Sequence, residues 1–517
     1  MSVTQRKRVL SRRKFLTRAV APAAGIVAAG AIGYELPHGS GSPRPSAPAS
    51  SASSTSSSSA PSTPPPAGVQ TFVTRPDLRP PTVRVTEVGT PPAAGSEPRF
   101  IFLAPNNVIP ASEPQQGLMM IDRKGRLVWF APVSAGSPFD LNVQSYNGQP
   151  ALTWWQGTVE SAHGEGVGEI GNASYHSVKS IRAGNGLQTD LHDLQLTSRG
   201  TALITAYETT TTDLSSVGGS RRGQTFVGHV QEVDLNTGKV LFDWNSLDHV
   251  PVSESYQPAR SDQGYDYFHL NAVSEMADGN LLVCARNTWA LYKVDRSNGN
   301  IIWRLGGKKS DFTLSSAARF YWQHDARAHG SSTITVFDNA GEAKEQQSRG
   351  LMLSLNAQSK TVDLTQAYLH PAGFISGTLG NVQVLSDGNV FIGWGAQPYF
   401  SEYASDGTLL LDGQLPMGVR SYRAYAAEWV GRPGDGPRVV AQANPADGFS
   451  VYASWNGQTE IDRWTVLAGK DKSSLSPVGS QAWTGFETAI AVNSQGPYFA
   501  VVAYDASGRE LGRSPVV

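Results

Sequence analysis

Apolar and polar residues alternate along most of the chain after residue 69, in short runs that end at turns rich in glycine, asparagine and aspartate. This alternation is typical of β-strands that bury one face, and Asp-Gly turns are typical of tight hairpins. The clearest unit spans residues 266–307. It predicts four antiparallel strands, at 269–275, 281–286, 289–294 and 301–305.

The same unit recurs along the chain. In its later hairpin an aspartate is followed by a glycine and then a tryptophan, as in Asp122, Gly125, Trp129; Asp234, Gly238, Trp244; and Asp295, Gly299, Trp303. A four-stranded unit with a period of about 40 to 60 residues is typical of a β-propeller. We expect six blades, at 100–150, 150–188, 189–250, 266–310, 320–372 and 378–418.

Two further regions flank these repeats. A strand predicted at 82–88 would cross the propeller or complete its last blade, since a ring has to join its first and last blades. After residue 438 the pattern resembles a fibronectin type III or immunoglobulin-like sandwich, with strands predicted at 439–444, 450–455, 462–467, 484–492 and 498–504. The expected fold class is therefore all-β: a six-bladed β-propeller over 69–420, followed by a small β-sandwich over 438–517.

The N-terminal residues predict export. Arg12 and Arg13 stand in the sequence SRRKFL, and a weakly apolar run follows at 19–32, which is typical of a twin-arginine signal over residues 1–36. Residues 37–68 are almost wholly Ser, Pro, Ala, Gly and Thr, a composition that favours a disordered linker. We therefore expect an extracytoplasmic protein, either secreted or tethered to the membrane by an uncleaved signal.

The charge balance argues against a nucleic-acid-binding protein, and the cysteine content excludes an internal disulfide. The chain carries 42 basic and 43 acidic side chains and a net charge of −1, so no global field attracts nucleic acid. The single cysteine, Cys284, lies inside a predicted strand and has no partner for an internal disulfide. We expect it to be a small buried residue.

Three histidines occupy matching places, at or just before the first hairpin of consecutive units: His192, His269 and His324. The first strand of each propeller blade lines the central channel, so these side chains are expected to converge near the axis, together with Asn271 and Arg286. An arginine repels a cation, so this set makes a poor metal site. The chain contains no HExxH, no G-x-S-x-G and no phosphate-cradling G-x-x-x-x-G-K-[ST].

Several blocks resemble the arylsulfotransferase (ASST) family: TFVTRPDLRPP at 71–81, DLHDLQLTSRGTALI at 190–204, HLN at 269–271 with Arg286 after it, and WRLGGKKSDF leading into WQHDAR at 303–327. The resemblance covers about residues 70–420. It implies a six-bladed propeller that moves a sulfuryl group from a phenolic sulfate ester to a phenol, without a nucleotide sulfate donor and with no cofactor.

Residue by residue, the resemblance implies that His324 is the nucleophile and becomes a sulfohistidine. It places sulfuryl-binding groups at His269, Asn271 and Arg286, and a further channel histidine at His192. A neutral imidazole can hold a sulfuryl group as a covalent intermediate, and fixed donors can stabilise the sulfuryl oxygens. His192 and His269 are the candidates for the acid that protonates the departing phenolate.

Other interpretations stay open at this point. A surface-displayed propeller could bind a glycan or a protein without catalysis, and the sandwich could contact a cell wall or cell surface. Catalysis requires His324, His269, Asn271 and Arg286 in one pocket, whereas a binding module could scatter them. Five aromatic residues are candidates either for a wall that stacks on an aryl group or for blade core: Tyr267, Phe268, Tyr321, Trp322 and Trp394.

Overall fold

The computed structural model describes residues 67–88, 99–108, 113–259, 264–341, 347–444, 448–494 and 496–517. The predicted twin-arginine signal (1–36) and most of the predicted linker (37–68) lie outside these described residues, so export stays a prediction. Within the described part of the chain, no helix is both long and apolar enough to cross a membrane.

The described chain is built almost entirely of strands. The strands up to the third blade are β1 (Arg84–Glu87), β2 (Arg99–Asn107), β3 (Gly117–Ile121), β4 (Leu127–Pro132), β5 (Ser137–Tyr146), β6 (Gln149–Glu160), β7 (His163–Gly171), β8 (Ser177–Ile181), β9 (Thr189–Leu196), β10 (Thr201–Thr212), β11 (Gly223–Asp234) and β12 (Val240–Asn245). One short α-helix, α1 (Ser246–His249), follows. Three 3₁₀ turns complete the helical structure of the described residues: Ser215–Val217, Val252–Glu254 and Ser316–Ala318.

The later blades follow in the same order. Their strands are β13 (Tyr265–Asp266), β14 (Leu270–Glu275), β15 (Leu281–Ala285), β16 (Ala290–Val294), β17 (Ile301–Gly306), β18 (Thr313–Leu314), β19 (His324–His329), β20 (Thr333–Asp338), β21 (Arg349–Asn356), β22 (Thr361–Leu369), β23 (Asn381–Val384), β24 (Val390–Gly393), β25 (Tyr399–Tyr403), β26 (Leu409–Gln414) and β27 (Val419–Glu428). In the C-terminal region the strands are β28 (Arg438–Ala443), β29 (Phe449–Ser454), β30 (Arg463–Asp471), β31 (Ser474–Ala482), β32 (Glu487–Val492), β33 (Tyr498–Tyr504) and β34 (Glu510–Arg513).

The strand pairing defines a closed six-bladed β-propeller, as predicted. Strand β27 pairs antiparallel with β2, so the strand after the sixth blade becomes the innermost strand of the first blade, in the order β27-β2-β3-β4. The remaining blades are β5 to β8, β9 to β12, β14 to β17, β19 to β22 and β23 to β26. This register fastens the ring through one long antiparallel pair.

Two boundaries differ from the expectation, and one predicted strand takes an expected place. Strand β5 already belongs to the second blade, because a tight turn with positive φ at Asn147 and Gly148 joins it to β6. The propeller runs on to Glu428, since β27 closes it. The predicted entry strand is β1, which does complete the sixth blade, as an extra strand on the outer edge of β26.

The C-terminal region is a two-sheet sandwich. Its sheets have the orders β28-β29-β32 and β31-β30-β33-β34, and they share a core that includes Val451, Trp464, Ile490 and Val501. The likeness to immunoglobulin or fibronectin domains stays a prediction. Strands β31 and β34 were not predicted, because their mostly exposed residues lack a clear apolar alternation.

The backbone is irregular at the start of several inner strands, where polar side chains face the propeller axis. The ladder register shifts between Phe139 and Asn142 in β5, between Leu270 and Ala272 in β14, and between His324 and Arg327 in β19. Such bulges re-aim side chains out of the regular alternation. As a result, polar groups from several blades meet on the propeller axis.

A network of five charges, the axial ion network (Asp140, Asp193, Asp325, Arg327 and Arg423), joins these inner strands; Arg327 is half-buried and the other four are buried. Arg423 on β27 lies 3.1 Å from Asp140 and 3.0 Å from Asp193. Arg327 on β19 lies 2.9 Å from Asp193 and 2.6 Å from Asp325. Because every member comes from an inner strand, the network links the first, second, third and fifth blades across the axis.

Candidate active site

The three predicted histidines lie together on the axis. The ring centres of His192 and His269 are 4.9 Å apart, and those of His269 and His324 are 6.3 Å apart. All three are nearly inaccessible, with exposed fractions of 2%, 8% and 1% in that order. Side chains separated by up to 132 positions in the sequence thus form one cluster.

His324 sits at the start of β19 in a neutral, buried setting. Its Nδ1 lies 2.7 Å from Oδ1 of Asn339, and the backbone N–H of Leu379 points to its Nε2 at 3.3 Å. Burial, together with the positive charge of Arg286, holds the pKa of His324 well below its usual value. The imidazole is therefore uncharged at neutral pH, which is the form that can act as a nucleophile.

His192 is paired with a carboxylate that precedes it by two residues. Its Nδ1 forms a short hydrogen bond with Asp190, which also accepts the backbone N–H of Gly164 at 2.7 Å. Burial opposes ionisation of Asp190, but its contacts with His192 leave the pKa of the carboxyl below its usual value. An ionised carboxylate only accepts hydrogen bonds, so Nδ1 of His192 carries a proton and Nε2 is left for chemistry.

His269 has a similar partner in Asp266. Its Nδ1 lies 2.5 Å from Oδ2 of Asp266, and its backbone N–H donates to Oδ1 at 3.0 Å. Burial lowers the pKa of His269 to about 4, although Asp266 acts in the opposite direction. His269 has a φ of +53°, a left-handed backbone that the Asp266 contacts help to hold.

Arg286 supplies a positive charge beside the histidines. Its guanidinium donates to Asn287 Oδ1 at 2.8 Å and to the carbonyl of Gly377 at 3.2 Å, while its buried Nε has no hydrogen-bond partner within the described part of the chain. No ion pair among the described residues involves Arg286. Burial lowers the pKa of Arg286 to about 10, so it stays charged at neutral pH. A guanidinium without a carboxylate partner is suited to binding a sulfate or sulfuryl group.

Asn271 connects the segment that carries His324 to Arg423 through hydrogen bonds. Its Nδ2 donates to the carbonyl of Gln323 at 2.8 Å, next to His324, and its backbone carbonyl accepts from Arg423 at 3.0 Å. The side-chain Oδ1 is buried without a hydrogen-bond partner among the described residues. The structure thus brings Asn271 to the site, with one amide N–H bound to backbone.

Sequence reasoning missed several residues of this centre. Asp190 and Asp266 lie two and three positions before a predicted histidine, so a local signal existed. His163 is the first residue of β7; its Nε2 lies 3.2 Å from Asp266, and its ring centre is 4.1 Å from that of Tyr207. Burial opposes protonation, but the hydrogen bond to Asp266 raises the pKa of His163. Nothing in the sequence around His163 marked it as a site residue.

His163, Asp266 and His269 offer potential metal-ligand atoms within 4.8 Å of one another. The distances from Asp266 to the two imidazoles, 2.5 and 3.2 Å, are those of hydrogen bonds. Two ligands of one zinc ion, each at about 2.0 to 2.2 Å in tetrahedral geometry, would be more than ~3 Å apart, so the 2.5 Å contact between His269 and Asp266 is too short for a shared ion. The charge of Arg286 also opposes a cation, as its effect in lowering the pKa of His269 shows. This cluster fits a shared proton better than a metal ion.

Aromatic side chains extend from Arg286 and form an aromatic ledge (Tyr256, Trp289, Tyr321 and Trp322). The guanidinium carbon lies 4.7 Å from the ring centre of Trp322, which meets Trp289 edge to face at 5.1 Å. Tyr256 stacks on Trp289 at 3.7 Å. The other three candidates for a stacking wall, Tyr267, Phe268 and Trp394, are fully buried in blade cores.

The remaining candidates lie elsewhere. His329, five residues after His324, lies 2.8 Å from the hydroxyl of Thr335. Cys284 is fully buried, and burial raises the pKa of its thiol to about 12, which makes it unreactive. Two clefts lie away from the axis: one of about 190 Å³ lies between propeller and sandwich beside Trp455, and one of about 780 Å³ lies beside Trp429. Neither is lined by the axial histidines.

The fold and the site together define the class of protein. It is a six-bladed propeller whose axis carries a buried polar centre of three histidines and an arginine, supplied by several blades. The sequence profile of the arylsulfotransferase (ASST) family matches residues 142–415, more than half of the chain, and includes all five predicted site residues. The chain therefore belongs to the arylsulfotransferase family.

Comparisons with other proteins are distant. No curated protein sequence matches the chain. Among solved structures, a protein of unknown function from Bacteroides caccae has 12% identity and a TM-score of 0.38, covering 64% of this chain and 98% of that one. A Lactobacillus plantarum protein has 12% identity and a TM-score of 0.33, covering 76% and 99%. A catalytically inactive virginiamycin B lyase from Staphylococcus aureus with quinupristin has 7% identity and a TM-score of 0.32, covering 73% and 97%.

Proposed function

We propose that this protein transfers a sulfuryl group from an aryl sulfate ester to a phenol through a covalent intermediate on His324. The observation that carries the proposal is a neutral, buried imidazole beside a guanidinium for which the described ranges of the chain supply no carboxylate partner, in a cluster with two histidine–aspartate pairs. A scattered arrangement would have favoured a non-catalytic binding propeller.

In the first half-reaction the imidazole of His324 attacks the sulfur of the ester. An N–S bond forms as the bond between sulfur and the aryl oxygen breaks, and the oxygen leaves with the bonding electron pair. His192 or His269 gives this oxygen a proton from Nε2, since Nδ1 of each is bound to a carboxylate. The negative charge of a bound sulfate ester acts to raise the pKa of His269, which favours its protonated form.

In the second half-reaction a phenol takes the place of the first product. The same histidine, now neutral, removes the phenol proton, and the phenol oxygen attacks the sulfur. The N–S bond breaks and His324 is restored. One group can serve as acid and then as base because the proton lost in the first step is regained in the second.

Two features support an aryl sulfate as substrate. Arg286 offers fixed N–H donors and a full charge to the sulfuryl oxygens, which carry negative charge throughout the transfer. The aromatic ledge begins at that guanidinium, because Arg286 lies over Trp322. An aryl group attached to a sulfuryl group at Arg286 would therefore be within reach of Trp322 and Trp289, where rings can stack.

The direct test uses a chromogenic aryl sulfate with and without a phenol acceptor. We expect a burst of coloured phenol without acceptor, sustained release with acceptor, and a mass increase of one SO₃ group on the peptide that contains His324. Sulfated acceptor without any labelled histidine would contradict the covalent route. Failure to sulfate any phenol from any aryl sulfate would contradict the function.

We expect Arg286→Met to lower kcat/KM for aryl sulfates by about 10²- to 10³-fold, because charge-assisted contacts to the transferring group are lost. The positive charge of Arg286 also lowers the pKa of His269 and His324. Its removal should raise both values, so the acid limb of the pH–rate profile should move to higher pH. Arg509→Met, on the exposed surface of the sandwich, is the control and should leave both quantities unchanged. An unshifted acid limb in the Arg286 variant would contradict the electrostatic role.

A further inference from the structure

Asn339 follows β20 and is completely buried against the nucleophile. Its Oδ1 lies 2.7 Å from Nδ1 of His324. Its Nδ2 donates to two backbone carbonyls, those of Ser376 at 2.7 Å and Leu379 at 2.9 Å. One amide therefore ties the catalytic histidine to the segment that enters the sixth blade.

The hydrogen-bond roles at Asn339 are fixed by its partners. Backbone carbonyls only accept, so the atom that faces both of them must be the NH₂ group. The oxygen then faces His324, and because it also only accepts, Nδ1 of His324 must carry the proton. The carbonyl of Trp322, 3.2 Å from Nδ1, requires the same proton. Nε2 consequently bears the lone pair, and the Leu379 N–H points at it.

We propose that Asn339 is the positioning residue of the nucleophile: it holds His324 in the Nδ1–H form, so that Nε2 attacks, and it holds the Leu379 peptide so that its N–H donates to a sulfuryl oxygen. This rests on the proposed sulfuryl transfer. The N–S bond forms at Nε2 while the bond from sulfur to the aryl oxygen breaks, and the ring keeps its Nδ1 proton and gains a positive charge. A neutral amide oxygen can accept from that ring without removing the proton.

The Leu379 N–H is well placed for this second role. It lies 3.3 Å from Nε2, and a sulfuryl group bonded to Nε2 would bring its oxygens into the same space. Leu379 has a φ of +66° and Gly380 a φ of +103°. In this pair of consecutive positive φ angles, the Leu379 N–H points to His324. Two hydrogen bonds hold this backbone in place. Asn339 donates to the Leu379 carbonyl, and the Gly380 N–H donates to the Tyr422 carbonyl at 3.1 Å.

Ser348 offers a matched control. Its hydroxyl donates to the Asn339 carbonyl at 2.9 Å and accepts the Ser376 N–H at 2.7 Å, so it supports the same segment without touching His324. We expect Asn339→Ala to lower the rate of the sulfuryl-transfer burst by about 10- to 100-fold, as is common when the partner that orients an imidazole is removed. KM should change little. Ser348→Ala should stay within a few fold of the wild type.

The proton position gives a readout that does not depend on activity. In ¹⁵N-histidine-labelled wild-type protein, the His324 signals, identified by their loss in His324→Ala, should show a protonated Nδ1 and an unprotonated Nε2. In Asn339→Ala the two tautomers should mix, whereas in Ser348→Ala the wild-type form should persist. A protonated Nε2 in the wild type would overturn the assignment even if Asn339→Ala fails to fold. Equal kinetics in the two variants would also overturn it. If the wild type transfers no sulfuryl group, the proposed function fails, while the tautomer still decides the proton assignment.

Discussion

Replacing His324 by alanine is expected to abolish acceptor-dependent phenol release, with a loss of about 10⁴-fold or more in kcat, because the covalent route disappears with the nucleophile. Arg286 and the aromatic ledge stay in place, so the binding of aryl sulfate should persist. His329→Ala is the matched control, since His329 lies on the same strand, β19, but contacts Thr335.

The measurement compares burst amplitude, steady-state release and labelling of the histidine peptide in the wild type and both variants. We expect the burst and the label to vanish together in His324→Ala and to remain in His329→Ala. Acceptor-dependent release that survives in His324→Ala would refute the role of His324. Circular dichroism and thermal unfolding would show that both variants are folded.

Replacing Arg423 by methionine is expected to lower the free energy of unfolding by about 3 to 5 kcal/mol, the usual range when one partner of a buried ion pair is removed. Arg423 is completely buried within reach of Asp140, Asp193 and Asp325. Without it, the axial ion network holds three carboxylates against the single charge of Arg327. Methionine fills similar space but leaves those carboxylates poorly compensated.

The loss should depend on pH. Burial raises the pKa of Asp140 to about 6, and Arg423 acts to lower it. A carboxyl whose pKa is raised in the folded state destabilises the fold as pH rises from its unfolded pKa to its folded pKa. Removing Arg423 raises the folded pKa further, so the variant should lose more stability at pH 8 than at pH 5.

Chemical denaturation at the two pH values measures both effects. Arg420→Met, on the same strand β27 but outside the axial ion network, is the control and should change stability by about 1 kcal/mol or less. A loss in Arg423→Met no larger than in the control, or one that does not depend on pH, would show that the network contributes little to the fold.

The sequence allowed the blade count and the meeting of the histidines to be predicted, because both depend on local repeats. Each blade carries its own turns and alternation, and three histidines share one place in that repeat. Closure of the ring could not be read in this way. It pairs Arg99 with Glu428, and β27 does not carry the hairpin pattern of the other blades.

The site shows the same limit. Asp190 and Asp266 stood beside predicted histidines and were within reach of a sequence argument. Asn339 and Leu379 come close to His324 only in the folded propeller. No local sequence pattern indicates this proximity. Tyr267, Phe268 and Trp394 were indistinguishable by sequence from Trp322, but three of these rings fill blade cores while Trp322 lies under Arg286.

The pairing of β27 with β2 affects the order in which the propeller can fold during synthesis. Chains emerge from the ribosome in order, so the first blade stays without its innermost strand until residues 419–428 have been synthesised. Arg423 arrives on that same strand, and Asp140, Asp193 and Asp325 lack their shared counter-charge until then. The axial ion network beside His324 is therefore completed late, when the last strand of the propeller, β27, pairs with β2 in the first blade.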